Sequence, residues 1–185
     1  MLKAAVIIAS TRDGRFGPTV AEWFARNAKR RFEVDLIDLA VADLPAVLTD
    51  DIPESVAALA PRLHAADAFV IVTPEYNHSF PAPVKTAIDW YYDEWAGKPV
   101  TFVAYGRESG GRHATAQLRE IFAELNAVAI RNSVHLPCYW EQFAADGHWP
   151  KHTSELDESV RLLLDQLSWW ANALHTARAT NPFPV

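Results

Sequence analysis

Lys3-Ala4-Ala5-Val6-Ile7-Ile8-Ala9-Ser10-Thr11-Arg12-Asp13-Gly14-Arg15-Phe16-Gly17-Pro18-Thr19-Val20 joins an apolar run to a polar loop and a helical pattern. Ala4 to Ile8 is a continuous apolar run, the pattern of a strand buried on both faces of a parallel sheet. A loop rich in hydroxyls, arginines and glycines follows. It leads directly into a helical pattern over Pro18 to Arg30, with Val20, Trp23, Phe24 and Asn27 near helical spacing. Strand, polar loop and helix in that order make the first half of a parallel crossover unit.

The same alternation continues outward along the chain. Phe32 to Leu39 alternates as a second strand, with Phe32, Val34 and Leu36 on one face. Ser55 to Ala66 reads as a helix interrupted by Pro61, and Ala68 to Val72 as a third strand. Pro83 to Glu94 is a helix with proline in its first turn. Pro99 to Tyr105 is a fourth strand, Gly111 to Asn126 a helix, and Val128 to Leu136 holds a fifth strand. An irregular stretch at about 137–153 precedes a final amphipathic helix, Ser154 to Arg178. The order predicts an α/β fold with a parallel sheet and helices on both faces. Right-handed crossovers leave doubly wound forms, flavodoxin-like or dinucleotide-binding. The 185 residues are expected to form a single domain, 1–185, large enough to fold on one core.

Composition removes several function classes. The net charge is -6, from 17 basic and 23 acidic residues, and no Lys/Arg cluster offsets it, so no nucleic-acid partner is expected. One cysteine, Cys138, excludes an internal disulfide and a cysteine-only zinc site. The N-terminal apolar run is too short for a membrane span and lacks a secretory leader, so a cytoplasmic protein with no membrane partner is expected. Seven Trp, five Tyr and nine Phe make the chain rich in aromatics. Trp90, Tyr91, Tyr92 and Trp95 point different ways around a helix, which suggests a homo-oligomer contact, a dimer or tetramer, over ordinary core packing. Tyr139, Trp140 and Trp149 either shape the ligand pocket or join such a contact.

In an open parallel sheet, ligands bind beyond the carboxyl ends of the strands. The loops after strands one, three and four are therefore the candidates. In the first, Ser10, Thr11 and Thr19 offer hydroxyls and Arg12 a bidentate cation, ahead of a helix N-terminus. That is a phosphate cradle, or else a plain strand–helix loop capped by Thr19. In the second, Thr73-Pro74-Glu75-Tyr76-Asn77-His78-Ser79-Phe80-Pro81-Ala82-Pro83, three prolines stiffen the backbone. Either a flat heteroaromatic ring rests on backbone N–H groups around Glu75 to Asn77, or the loop is a structural turn with an exposed His78. The third, Tyr105-Gly106-Arg107-Glu108-Ser109-Gly110-Gly111-Arg112, has glycines that permit close backbone approach. No G-x-G-x-x-G follows strand one and no G-x-x-x-x-G-K-[ST] occurs, which argues against dinucleotide and P-loop nucleotide folds. One ligand with a monophosphate and a flat polar ring would satisfy all three loops, and flavin mononucleotide (FMN) is such a ligand.

Ser10-Thr11-Arg12, Thr73-Pro74-Glu75-Tyr76-Asn77-His78, and Tyr105-Gly106 followed by Ser109-Gly110-Gly111 resemble the NAD(P)H-dependent FMN reductase family, which includes quinone, azo-dye and chromate reducers. The similarity runs from about Leu2 to Leu136. It implies a flavodoxin-like five-stranded sheet in the order 2-1-3-4-5, bound FMN, and homodimers or tetramers. It places Ser10 and Arg12 on the phosphate, with Phe16, Gly17 and Thr19 completing the cradle. Pro74, Glu75, Tyr76 and Asn77 fall on the isoalloxazine, His78 on the nicotinamide or substrate side, and Tyr105, Gly106, Ser109, Gly110 and Gly111 on the ring's other edge. Ala9, Arg15 and Gly17 depart from the family pattern. The expected reaction is hydride transfer from NADPH or NADH to FMN N5, then reduction of a second small-molecule acceptor. No side chain is expected to act on the hydride, and no metal is expected. Backbone donors in the Ser109–Gly111 loop would steady the charged ring. A flavodoxin-type electron carrier and a flavin-free interaction domain are the rival readings. His113 reads simply as a helix-start residue.

Overall fold

A computed structural model describes residues 1–184. The strands are β1 (Lys3–Ile8), β2 (Glu33–Asp38), β3 (Ala68–Pro74), β4 (Pro99–Gly106), β5 (Val128–Ala129) and β6 (Val134–Pro137). The helices are α1 (Gly17–Ala28), α2 (Leu39–Ala42), α3 (Glu54–Ala65), α4 (Ala82–Trp90), α5 (Arg112–Glu124) and α6 (Ser154–Thr180). The sheet is parallel, in the order β2-β1-β3-β4-β5, and β6 also pairs with β4. This is the flavodoxin-like order. Its switch point lies where β1 has β2 on one side and β3 on the other.

The three central strands are apolar because both faces are covered. Ala4, Val6 and Ile8 of β1, with Val70 and Val72 of β3, pack under α1 and α6 through Val20, Phe24, Leu163 and Leu167. Ala5 and Ile7, with Phe69 and Ile71, pack under α3, α4 and α5 through Leu59, Leu63, Ile88, Leu118 and Phe122. A strand with apolar residues facing both ways cannot show the half-polar alternation of a solvated sheet.

The second strand keeps the expected alternation and is covered on both faces: Phe32, just before it, and Val34 pack on one core and Ile37 on the other, while Leu36 is 41% exposed. Two expectations are corrected. The fifth strand is interrupted. Arg119 donates to the carbonyls of Ile130 (2.6 Å) and Arg131 (2.9 Å), and Thr101 donates to that of Asn132 (2.7 Å), so the chain leaves the ladder between β5 and β6. The helix expected through Glu94 stops at Trp90, with Tyr91 extended. Tyr91 and Trp95 are buried in this chain's own core. The Tyr91 hydroxyl donates to Val56 O at 2.9 Å, and Trp95 Nε1 to Tyr91 O at 2.7 Å. Of the four aromatics expected to form an oligomer contact, only Tyr92 is exposed. No helix among the described residues is long and apolar enough to cross a membrane.

Candidate flavin site

Every strand of a parallel sheet ends at the same edge, so the loops after β1, β3 and β4 meet there. Two adjoining cavities open between them. One, of about 420 Å³, is lined by Arg12, Arg15, Phe16, Pro74, Glu75, Tyr76, Tyr105, Gly106, Arg107, Tyr139 and Trp140. The other, of about 710 Å³, is lined by Arg12, Glu75, Tyr76, Asn77, His78, Arg107, Glu108, Ser109 and His113. Four residues belong to both walls, so the two form one cleft.

The first loop is pinned from beneath. Arg15 clasps Asp38 at the end of β2 with both terminal nitrogens, at 2.6 and 2.7 Å, and donates to Ser10 O at 3.0 Å. Hydrogen bonding to Asp38 raises the Arg15 pKa despite the opposing cost of burial. Arg15 is therefore committed to structure, while Arg12 has no ion-pair partner among the described residues and lies over the Tyr76 ring at 5.8 Å. Ser10 is fully buried. Its hydroxyl accepts from Tyr105 Oη at 3.3 Å, below Gly17. A Cβ on Gly17 would meet Ser10 Oγ at 2.5 Å, which explains the glycine. The first intrahelical bond of α1 runs from Val20 N–H to Phe16 O, so the earlier N–H groups remain for a ligand. Thr19 is exposed and lines neither cavity. Burial pushes the Tyr105 hydroxyl up, so it stays protonated as a donor.

The second loop closes on itself. Tyr76 and Ser79 exchange backbone bonds at 2.8 and 2.9 Å, with Asn77 and His78 both at positive φ, +50° and +62°. Glu75 N–H donates to Tyr105 O at 3.0 Å. Two of the three expected backbone donors, Glu75 and Tyr76, are thus already used, and Asn77 N–H remains. The third loop is similar. Gly110 and Gly111 are buried and line neither cavity: Gly110 N–H donates to Arg107 O at 2.9 Å, and Gly111 N–H faces Ser109 Oγ at 3.4 Å. Gly111 sits at φ +89° with room for no Cβ, since one would reach Ala104 Cβ at 2.5 Å. Of this loop, Tyr105 to Ser109 line the cleft.

Residues outside the expected set complete the walls. Arg107 borders both cavities and, like Arg12, has no ion-pair partner among the described residues. Tyr139 packs against Phe16 (4.8 Å between centroids) and Tyr105 (5.1 Å), which brings the irregular stretch after β6 into the site. Trp149 is instead a core residue, edge-on to Phe16 and Trp23. His113, in the first turn of α5, gives its backbone N–H to Glu75 Oε2 at 3.0 Å and sets Nδ1 2.9 Å from Oε1. Burial works against the Glu75 charge, but the His113 ring, the Ser109 hydroxyl and the His113 N–H together hold its carboxyl below the ordinary value. The neighbouring ends of β3 and β4 bring Glu75 and His113 together. Spacing along the chain carries no such signal.

The loops thus enclose a cleft with two unpaired guanidinium groups, a helix N-terminus and several aromatic walls. The family described as NADPH-dependent FMN reductase matches residues 2–141. The chain belongs to this family. An NAD(P)H-dependent FMN reductase of Schizosaccharomyces pombe is 34% identical over 148 residues, 73% of this chain and 74% of the relative. A quinone reductase of Escherichia coli K12 is 34% identical over 139 residues, 70% of this chain and 73% of the relative. Among solved structures, the flavoenzyme FerB, an NAD(P)H:(acceptor) oxidoreductase from Paracoccus denitrificans, superposes with a TM-score of 0.77 at 28% identity, covering 94% of this chain and 98% of that one. This FMN reductase family chain is accordingly an NAD(P)H-dependent FMN oxidoreductase, with FMN as its cofactor and NAD(P)H as donor.

Proposed function

We propose that the cleft holds FMN with its phosphate at Arg12 and the α1 N-terminus, and its ring between Pro74–Tyr76 and Gly106–Arg107. The single observation that carries this is the pair of unpaired guanidinium groups, Arg12 and Arg107, facing an aromatic-walled cleft in a chain of net charge -6. The donors present fit the cofactor. Gly17 leaves space that a Cβ would fill, and α1 supplies free N–H donors at one end. Bound FMN supplies two-electron chemistry between the nicotinamide and an acceptor.

The protein's own part is placement. Arg15 and Asp38 fix the loop that carries Arg12. Ser10 acts through packing beneath Gly17 and through Tyr105 Oη. Tyr139 and Trp140 close one side against water. The larger cavity, beside Asn77, His78 and His113, is left to receive nicotinamide and acceptor in turn. A quinone-sized flat molecule suits it, as the quinone reductase relative suggests. We further propose that residues 1–185 work as one cytoplasmic unit that pairs as a homodimer. The exposed apolar side chains Val41, Val47, Leu48 and Ile52 offer a contact beside Tyr92, where Trp90 Nε1 binds Pro45 O at 2.8 Å.

The test is anaerobic addition of NADPH or NADH to the FMN-loaded protein. Loss of the flavin absorbance, restored by a quinone, is expected. An unbleached flavin with both donors would leave an electron carrier. Arg12→Ala should weaken FMN binding by roughly ten- to a hundredfold, and unchanged affinity would reject the cradle.

A further inference from the structure

Three side chains at the mouth of the larger cavity form an arrangement that FMN binding does not call for. Glu75, His78 and His113 each offer a ligand atom, and these atoms all lie within 4.8 Å of one another. We propose that they form a binding site for one divalent first-row transition ion, and that an ion there closes the acceptor cavity. The donor set is two imidazole nitrogens and one carboxylate oxygen, which suits cobalt, zinc, nickel or copper over calcium or magnesium.

The geometry is partly assembled. Glu75 Oε1 and His113 Nδ1 lie 2.9 Å apart. Two metal–ligand bonds of roughly 2.0–2.2 Å meeting near the tetrahedral angle hold their donors about 3.3–3.6 Å apart, so an ion can replace the shared proton with an outward shift of roughly half an ångström. The other carboxylate oxygen, Oε2, is fixed by the His113 N–H at 3.0 Å, the kind of outer support that orients a metal-binding carboxylate. The His78 ring lies parallel to that of His113, 4.1 Å between centroids. Its backbone is held as well: Gln117, one turn after His113 on α5, donates from Nε2 to His78 O at 2.8 Å, and its Oε1 accepts from the Ser79 hydroxyl at 2.7 Å. Both histidines are exposed, so rotation about their side-chain bonds can bring the two nitrogens onto one ion. A fourth position would face the cavity, open to water. The other histidine–carboxylate pairs among the described residues, His148 with Asp146, His152 with Asp157 and His175 with Asp67, each bring only two such groups together.

The closure of the cavity rests on the reading given under Proposed function. The binding does not. Cobalt(II) is the probe, titrated into FMN-free and FMN-loaded full-length protein near neutral pH. One equivalent should bind and give the visible absorption of a low-coordinate cobalt site with nitrogen ligands. His113→Gln and His78→Asn should each weaken binding by about tenfold or more, while His148→Ala with His152→Ala should leave it unchanged. The absence of one-to-one binding, or its survival in both cavity variants, would overturn the site. Zinc should inhibit quinone reduction competitively with quinone. Stoichiometric binding without competition would overturn the closure. Because the cobalt spectrum is read without FMN as well, failure of the flavin assignment would show separately.

Discussion

Arg15 holds Asp38 through two parallel bonds of 2.6 and 2.7 Å, with both side chains about four-fifths buried (19% and 22% exposed). The pair joins the loop after β1 to the end of β2, and the third Arg15 bond, to Ser10 O, fixes the turn that presents Arg12. Lysine keeps the charge but not the planar fork. Arg15→Lys should cost about 1–2 kcal/mol in urea unfolding, and Arg15→Ala about 2–4, since the Asp38 carboxylate would lose its partner. FMN affinity should fall in both although Arg15 need not touch the cofactor. Full FMN affinity in Arg15→Ala would show that the clamp does not position the loop.

Gly17→Ala should destabilise by about 1–3 kcal/mol through overpacking. The new methyl would meet Ser10 Oγ at 2.5 Å and Ile8 Cγ2 at 2.9 Å. Adding Ser10→Ala removes the first clash and leaves the second, so the double variant should recover part of the loss. Denaturation midpoints of the two singles and the double measure the coupling, and strict additivity would mean that Ser10 is not the obstacle.

Ser10 and Arg12 separate two ways of serving a phosphate. The Ser10 side chain is sealed, while the Arg12 guanidinium is open to the cleft. Ser10→Ala should reduce FMN affinity by less than about fivefold, against roughly ten- to a hundredfold for Arg12→Ala. Fluorescence titration of free FMN reads both. Equal losses would require Ser10 to turn outward on binding.

Lys98 predicts a pH dependence of stability. It is buried at the start of β4, with Nζ donating to Leu63 O at 3.1 Å and His64 O at 2.8 Å. Burial, with a smaller contribution from Arg178, brings its pKa down to about 8, against the opposing pull of Asp67 and Glu94. Below pH 8 the folded and unfolded chains both carry this proton, and the fold bears the full cost of a buried charge. Between that point and the ordinary lysine value the unfolded chain holds more protons, so stability rises with pH. The rise should be visible from about pH 8 to 10. Higher still, the buried Tyr91 hydroxyl, pushed up to about 12, acts in the opposite sense. Urea midpoints of the wild type should climb across that window, and those of Lys98→Met should climb less. Parallel profiles would assign the effect to other groups.

Much of the architecture was legible because the central strands are buried on both sides. Ala4–Ile8, Ala68–Val72 and Pro99–Tyr105 could be little else than inner strands of a covered sheet, and their alternation with the helices led to a doubly wound parallel sheet, whose observed strand order the family resemblance implied. The edges were less legible. At β2 Phe32 and Val34 pack on one core and Ile37 on the other, but Leu36, in the same alternating row as Val34, is left to solvent. At the other edge, Arg119 and Thr101 take carbonyls that a continuous strand would have paired, a competition between side chain and backbone that hydrophobic pattern cannot reveal.

The site divides along the same line. The loops and the family they resemble are readable in the chain, because Ser10-Thr11-Arg12 and Pro74-Glu75-Tyr76-Asn77 are contiguous and each follows an inner strand. Which of their atoms face the cleft depends on the folded packing. It buried Ser10, Gly110 and Gly111, turned Arg15 onto Asp38, spent the N–H groups of Glu75 and Tyr76 on the fold, and brought in Arg107, Tyr139 and His113. A residue's type fixes what it can bind, whereas its available donors and charges are what remain after neighbours distant in the chain have used the rest.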